Sequence, residues 1–268
     1  MDDEATDLYY HAKNHLHRRD YSAALRCFET ALTKSRHNSA PDELIDLLVH
    51  IGNLYAQLGE HTRAREFYRE VLDTPRENAD PRAIGLTLVN LGNLCRESGE
   101  RTRAEAYYLE ARDLLIDAKD EQSLGILYSN LGLLAQDAGD PAKGLEYLKK
   151  AIELHKKTGY EAGLAATWGQ MGRLMFKQGD TRDAETCFNY SATHFGTLGD
   201  PLAEAEALRG LAEVYEARPD IDLAFHTVKR VMETLRKYGL KVPQSDQDWL
   251  RRLAEAQMRE SIDSLKGF

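Results

Sequence analysis

Cysteine is scarce in this chain and has no partner pattern. Its 268 residues hold three, Cys27, Cys95 and Cys187, far apart and without a CxxC pair. An odd, scattered set excludes a disulfide framework and reads as small buried hydrophobes in a reducing compartment. Long apolar runs are also missing: nothing approaches the roughly 18 consecutive apolar residues of a membrane span. The opening Met1-Asp2-Asp3-Glu4 lacks the apolar core of a signal peptide. Together these absences predict a soluble, cytoplasmic protein without membrane insertion. A basic excess is lacking too. Lys and Arg number 35 against 44 Asp and Glu, a net charge of −9. That balance argues against a nucleic-acid partner, which needs a basic footprint, and mildly favours basic partners.

The motifs of catalysis are absent as well. There is no GxxxxGK[ST] loop, no Rossmann glycine fingerprint, no GxSxG elbow and no HExxH, so no enzyme and no cofactor is predicted. His11, His15 and His17 form the one local histidine cluster. The first two are four residues apart and share a helix face, but no nearby Cys or Glu completes a metal site. They read as exposed or groove-lining side chains, and no metal is predicted. From Lys229 to Arg252 the chain carries seven basic and three acidic residues. An acidic partner or RNA is one reading of that stretch, and a solvated helix face is the preferred one.

What the chain does have is a period. Ala24, Ala64, Ala104, Gly144, Ala184 and Ala224 fall 40 residues apart. A second series of small residues runs Ala12, Gly52, Gly92, Gly132, Gly172, Ala212, and a bulky apolar series runs Phe28, Tyr68, Tyr108, Leu148, Phe188, Val228. Three interleaved series in one register mean one unit copied six times, the signature of a solenoid. The copies span about 1–40, 41–80, 81–120, 121–160, 161–200 and 201–240, and 241–268 remain for a C-terminal capping helix.

Within a copy the pattern predicts two helices. From Leu44, the residues Ile45, Leu47, Leu48, Ile51, Leu54, Tyr55 and Leu58 have helical spacing, and Gly59 stops that helix. Ala64, Phe67, Tyr68, Val71 and Leu72 mark a second helix, which ends before Pro75, and Asn78-Ala79-Asp80-Pro81 leads into the next copy. Asp80-Pro81, Asp140-Pro141 and Asp200-Pro201 read as an N-cap followed by proline at the first helical position, Asp120 takes the same place, and Thr102 with Glu105 reads as a capping box. Twelve helices in six hairpins result, with turns near 19, 40, 59, 80, 99, 120, 139, 160, 179, 200 and 219. The small residues allow two antiparallel helices to approach, and that packing offsets the roughly 1 kcal/mol that each helix-interior glycine costs. A last helix over Ser245 to Lys266 carries Leu250, Leu253, Ala254, Met258, Ile262 and Leu265 on one stripe. It is expected to cover the final hairpin, with self-association or partner docking as the other reading.

Segments such as Ile51-Gly52-Asn53-Leu54-Tyr55 and Leu91-Gly92-Asn93-Leu94, followed by Gly-Glu and Ala-x-x-x-Tyr, resemble the tetratricopeptide repeat (TPR) along essentially the whole chain. The period of 40 is similar to that of kinesin light chain, of adaptors with Leu-Gly-Asn repeats and of bacterial peptide-sensing regulators. The resemblance implies an all-α, right-handed α-solenoid whose first helices line a concave groove that binds a peptide or helix of a partner protein. By the family's inward positions, the groove residues are Tyr9, Lys13, Leu16 and His17; Val49, Asn53 and Gln57; Leu86, Val89, Asn93, Arg96 and Glu97; Ile126, Ser129, Leu133 and Gln136; Arg173, Phe176 and Lys177; and Arg209, Glu213 and Glu216.

Asn53 and Asn93 suit an extended peptide backbone, because an amide both donates and accepts. Arg96, Arg173, Lys177 and Arg209 suit a carboxylate, and Leu133 and Phe176 suit an apolar anchor. The carboxylate clamp of chaperone-binding relatives needs a lysine where this chain has Tyr9, Val49, Val89, Ser129, Gly169 and Arg209, which argues against chaperone tails. A non-catalytic adaptor is the expected function, with a signal-responsive module that changes superhelix pitch as the alternative. The regulators resembled carry an extra amino-terminal bundle, expected to be missing here because the first repeat begins by about Thr6, and this favours the adaptor.

Overall fold

The computed structural model describes residues 3–36, 39–74 and 80–266, with side chains of the last helix given as far as 259 and for 261 and 262. Among the described residues there are thirteen α-helices and no strand. They are α1 (Asp3–His17), α2 (Tyr21–Ser35), α3 (Pro41–Gln57), α4 (His61–Leu72), α5 (Pro81–Glu97), α6 (Arg101–Asp117), α7 (Glu121–Asp137), α8 (Pro141–Thr158), α9 (Glu161–Lys177), α10 (Thr181–Leu198), α11 (Pro201–Ala217), α12 (Ile221–Lys237) and α13 (Gln244–Lys266). They gather into two compact units, Met1–Leu134 and Ala135–Phe268.

In the first unit each helix packs on the next along the chain from α1 to α6, and α3 also meets α5. The turns follow from two residues. Gly59 adopts φ 79°, which a Cβ disfavours. Its N–H bonds the Ala56 carbonyl at 3.0 Å, and the Glu60 N–H bonds the Tyr55 carbonyl at 2.8 Å, so the last carbonyls of α3 are satisfied. Aspartates then start the helices: Asp20 accepts from the Ala23 N–H at 3.1 Å and Asp80 from the Arg82 N–H at 2.9 Å. The capping box expected of Thr102 and Glu105 does not form as a cap. Helix α6 begins at Arg101, and its N-cap residue, two positions before Thr102, is Glu100, which makes no side-chain cap. Its carboxylate is held by Arg65 at 2.6 Å and Arg103 at 2.7 Å instead. Pro75, Asn78 and Ala79 lie outside the described residues.

The small and bulky series meet as their spacing requires. A Cβ on Gly52 would lie 2.5 Å from the Tyr68 ring, and one on Gly92 would collide with Tyr108. Tyr68 and Tyr108 are 2% and 0% exposed. Phe28 is also fully buried, and the His50 ring of the following hairpin stacks on it at 5.0 Å.

In the second unit α8 to α13 pack in the same sequential way, and α9 also meets α11. Asp140, Asp180, Asp200 and Asp220 each cap a helix through a backbone N–H. Phe188 plays the part of the tyrosines. It fills the gap left by Gly172 and is touched from the next hairpin by Gly210, where a Cβ would meet its ring at 2.5 Å. The core around it runs from Ala184 through Leu208, Leu211, Val228 and Val231 to Leu253 of α13.

The C-terminal helix covers this core with its first half. Leu253 is 1% exposed, and Trp249 and Leu250 pack partly buried beside it. Met258 and Ile262 are 66% and 49% exposed, so the apolar stripe expected to run the length of the helix is buried only up to its middle. The side chain of Leu265 lies outside the described residues. Of the cysteines, Cys95 and Cys187 are buried and Cys27 is half-buried rather than buried. Burial and the nearby Asp183 push the Cys187 thiol up to about 11, which makes it a poor nucleophile at neutral pH.

Candidate functional site

The positions singled out in the sequence lie on the first helix of each hairpin, and their surroundings differ between the two units. In the first unit, α3 and α5 run side by side and line an open cavity of about 250 Å³. Asn53, Gln57 and Asn93 line it, with Asn90, Glu97 and the edge of Tyr68. Two hydroxyls fix the amides: Tyr68 Oη donates to Asn53 Oδ1 at 2.6 Å, and Tyr108 Oη donates to Asn93 Oδ1 at 2.6 Å. Asn90 Nδ2 also donates to Asn53 Oδ1, at 2.9 Å. Burial raises both phenols well above their ordinary range, so they remain donors at any physiological pH. The acceptor side of Asn53 is therefore fully committed and that of Asn93 half so, and the Nδ2 groups of both are left as donors on the cavity. An isolated amide offers both roles equally; these two offer chiefly the donor. The sequence located the asparagines and marked Tyr68 and Tyr108 as packing residues, but not as the hydroxyls that orient the amides, although the repeated offset of fifteen residues from Asn53 to Tyr68 and from Asn93 to Tyr108 is visible in it.

The other candidates of this unit fall into four environments. Tyr9 donates or accepts across to His50 Nε2 at 3.2 Å, and Lys13 sits 5.3 Å over the Tyr9 ring. Burial and Lys13 lower the His50 pKa, and Asp46 opposes them. Val49 and Leu133 are partly exposed, whereas Val89 and Ser129 are 3% and 7% exposed and present almost no surface to a partner. Arg96 is half-buried and hydrogen-bonds the Tyr108 side chain.

In the second unit, Gln136 and Phe176 are half-buried, and Phe176 packs against the core. Lys177 is exposed. The two arginines are engaged. Arg173 pairs with Glu206 at 3.0 Å. Arg209 forms a two-pronged pair with Asp246 of α13, at 3.0 and 2.7 Å, and that carboxylate is nearly fully buried. Glu216 accepts from Trp249 Nε1 at 2.9 Å and from Arg252. The last helix thus takes the first-helix residues Arg209 and Glu216 as its own partners. Position on a helix was legible from the period. The acid on the neighbouring helix was not, because it lies at offsets of 33 and 37 residues that no motif marks.

Of the histidine cluster, His15 faces Asp20 across the first turn at 3.5 Å, and His11 and His17 are exposed. Among the described residues no three His, Cys, Asp or Glu side chains converge as a metal site, and no helix is long and apolar enough to cross a membrane.

Comparison with known proteins agrees with this architecture. Family models described as Tetratricopeptide repeat match residues 43–117 and 123–195, and 170–232. A search of curated proteins finds no match to the sequence. Among solved structures, the chain is similar to BtubC (BKLC) from P. vanneervenii, with a TM-score of 0.66 and 20% identity over 85% of this chain and 94% of that one. It is similar to the Rap conjugation gene regulator of the plasmid pLS20, solved in complex with the Phr* peptide (TM-score 0.67, 16% identity, 94% of this chain and 73% of that one). It is also similar to a putative kinesin light chain with nearly identical TPR-like repeats from Podospora anserina (TM-score 0.57, 15% identity, 74% and 97%). Two further similar structures are longer chains, of which this one spans 42% and 40%. With matched repeats over most of residues 43–232 and glycine–tyrosine packing in register, the chain belongs to the tetratricopeptide repeat family.

Proposed function

We propose that the protein is a non-catalytic, cytoplasmic interaction scaffold that holds a peptide or helix of a partner protein against its first helices, in the groove the family uses. The observation that carries this reading is the orientation of Asn53 and Asn93. Their Oδ1 atoms are held by tyrosine hydroxyls, and their Nδ2 donors border a cavity of about 250 Å³. Fixed donors in a row suit the carbonyls of an extended chain, and holding them in place before binding lowers the ordering cost. Gln57 and Glu97 on the same cavity add hydrogen-bonding groups for side chains.

The basic set contributes less than its charge implies. Arg173 and Arg209 already face Glu206 and Asp246, and an acidic ligand would have to displace those carboxylates. The first-unit amides are therefore the main contact, with Lys177 as an exposed auxiliary. A second reading has one observation in its favour: the pLS20 Rap regulator, similar in fold, was solved with a bound peptide. On that reading the ligand is a signalling peptide whose binding changes superhelix pitch and thereby the contact to an effector.

The test uses Asn53→Asp with Asn93→Asp. Aspartate keeps an acceptor for Tyr68 and Tyr108 and deletes the outward donors. The wild-type chain is used to capture a partner, and the purified partner is titrated against both proteins at low and moderate salt. At least a tenfold loss of affinity with unchanged helicity is expected, as two hydrogen bonds of about 1 kcal/mol each are removed. Unchanged affinity would place the contact on the second helices or on α13. Small-angle scattering with and without the partner separates the two readings, because only the regulatory one requires a change of dimensions.

A further inference from the structure

The second unit has an opening on its first-helix face that the close packing of the repeat does not require. At the position of Gly169 two other copies carry Val49 and Val89, and Val89 is buried there. Gly169 is unlike Gly52. No ring presses on it; a Cβ would meet only the Ser191 side chain, Oγ at 3.0 Å and Cβ at 3.7 Å, and a change of the Ser191 χ1 rotamer relieves the closer contact. Glycine in a helix interior costs roughly 1 kcal/mol relative to alanine, and the visible result here is a cavity of about 200 Å³ between α9, α10 and α11. Ala166, Phe195, Ala203 and Ala207 give it an apolar side, and Gln170, Arg173, Ser191 and Glu206 a polar one. Two uncharged polar side chains line it. Ser191 is 1% exposed, and its Oγ lies 3.0 Å from where a Gly169 Cβ would be. Gln170 Oε1 is buried and has no hydrogen-bond partner among the described residues. Arg173 and Glu206, both lining the cavity, neutralise each other.

We infer that this cavity is a side-chain receptor for a tyrosine of the bound partner. A closed apolar cavity of about 150 Å³ accepts benzene, and this partly open one, at about 200 Å³, is large enough for a ring. Phe195 offers an aromatic wall. Charge is disfavoured because the Arg173–Glu206 pair is balanced, and burying an uncompensated ion is costly. Gln170 Oε1 needs a donor, and the Ser191 hydroxyl on the same cavity can donate in turn. A phenol meets both with a single oxygen, whereas a phenylalanine ring leaves Gln170 Oε1 unsatisfied. The inference rests on the scaffold reading for the source of the tyrosine, but the pocket itself can be tested without any partner.

The probe is p-cresol, the tyrosine side chain as a free molecule, titrated into the full chain and followed by the backbone amide shifts of Gly169 and Ser191. Saturable shifts with a Kd of about 1–10 mM are expected for a ligand of this size, with toluene at least about fivefold weaker because it leaves the buried Gln170 Oε1 unpaired. Gly169→Val, which restores the side chain found in two other copies, should abolish binding. Ser191→Ala with Gln170→Leu should bring p-cresol down to the affinity of toluene, and this pair decides the matter should the valine variant not fold. No saturable shift, equal binding of toluene, or p-cresol binding that survives in the folded variants overturns the inference. Loss of the pocket alone leaves partner capture through Asn53 and Asn93 standing. A pocket that binds p-cresol while the aspartate variants keep their partner sinks the main-chain contact instead.

Discussion

Tyr68 shows how one side chain serves packing and recognition together. Its ring fills the space Gly52 leaves open, and its hydroxyl aims Asn53. The two roles separate by substitution. Tyr68→Ala empties a fully buried site and should cost about 3–5 kcal/mol in denaturant unfolding. Tyr68→Phe keeps the ring and should cost only about 1 kcal/mol, yet it frees the amide to rotate and should weaken partner binding more than that loss of stability accounts for. Gly52→Ala should also destabilise. The helix-propensity gain of about 1 kcal/mol is set against a Cβ 2.5 Å from a ring that is itself enclosed, and overpacking of that kind costs about 1–3 kcal/mol. Lys119 is the converse case. It holds φ 54° in a turn where Gly159 and Gly199 stand in later copies, so Lys119→Gly should raise stability by roughly 0.5–1 kcal/mol, measured as a higher urea midpoint at constant slope.

At the scale of the helix, caps and buried titratable groups decide. Asp140 caps α8 through the Lys143 N–H, so Asp140→Ala should cost about 1 kcal/mol. Histidine supplies a pH dependence. His155, near the end of α8, is 1% exposed with Nδ1 unbonded and the Tyr160 ring edge-on at 5.3 Å. Burial lowers its pKa, so the unfolded chain binds a proton more readily than the folded one. Stability from this group is complete above the unfolded value of about 6.5 and is lost as the pH falls toward the lower folded value. His50 has the same sign. The thermal midpoint should therefore drop between pH 7.5 and 5, and His155→Phe should flatten that slope; an unchanged slope would assign it elsewhere.

Elements were the legible part of this sequence. Glycine and aspartate at a fixed spacing mark chain reversals whatever surrounds them, because left-handed φ and N-capping are local properties. The exceptions are instructive. Thr102 and Glu105 fit the capping pattern, but Glu100 is the residue at the cap position. Val89 and Ser129 sit at inward positions and are nevertheless buried, because exposure on a first helix depends on the size of the residues across from it. Arg173 and Arg209 were legible as basic and illegible as paired. A candidate site on a solenoid is a product of two copies, and a period describes one.

For the whole molecule, stability is a sum of hairpins and their junctions, so an end without a neighbour must be covered. The first half of α13 does this. Leu253 completes the core, Asp246 is buried on Arg209, and Trp249 bonds Glu216. The second half makes a weaker case, since Met258 and Ile262 stand largely exposed one turn apart and self-association through the helix would rest on them. Two truncations separate these roles. Removing residues 258–268 deletes the exposed apolar pair, so the thermal midpoint should move little, whereas any dimer built on this helix should dissociate in sedimentation. Removing residues 243–268 uncovers the core and leaves Arg209 without its partner. That loss should be on the order of 3–5 kcal/mol from the uncovered apolar surface and broken pair, and the bared face should make the truncated chain self-associate with rising concentration. Equal midpoints for the two truncations would mean that Leu253 and Asp246 contribute nothing, and the covering role of α13 would have to be given up.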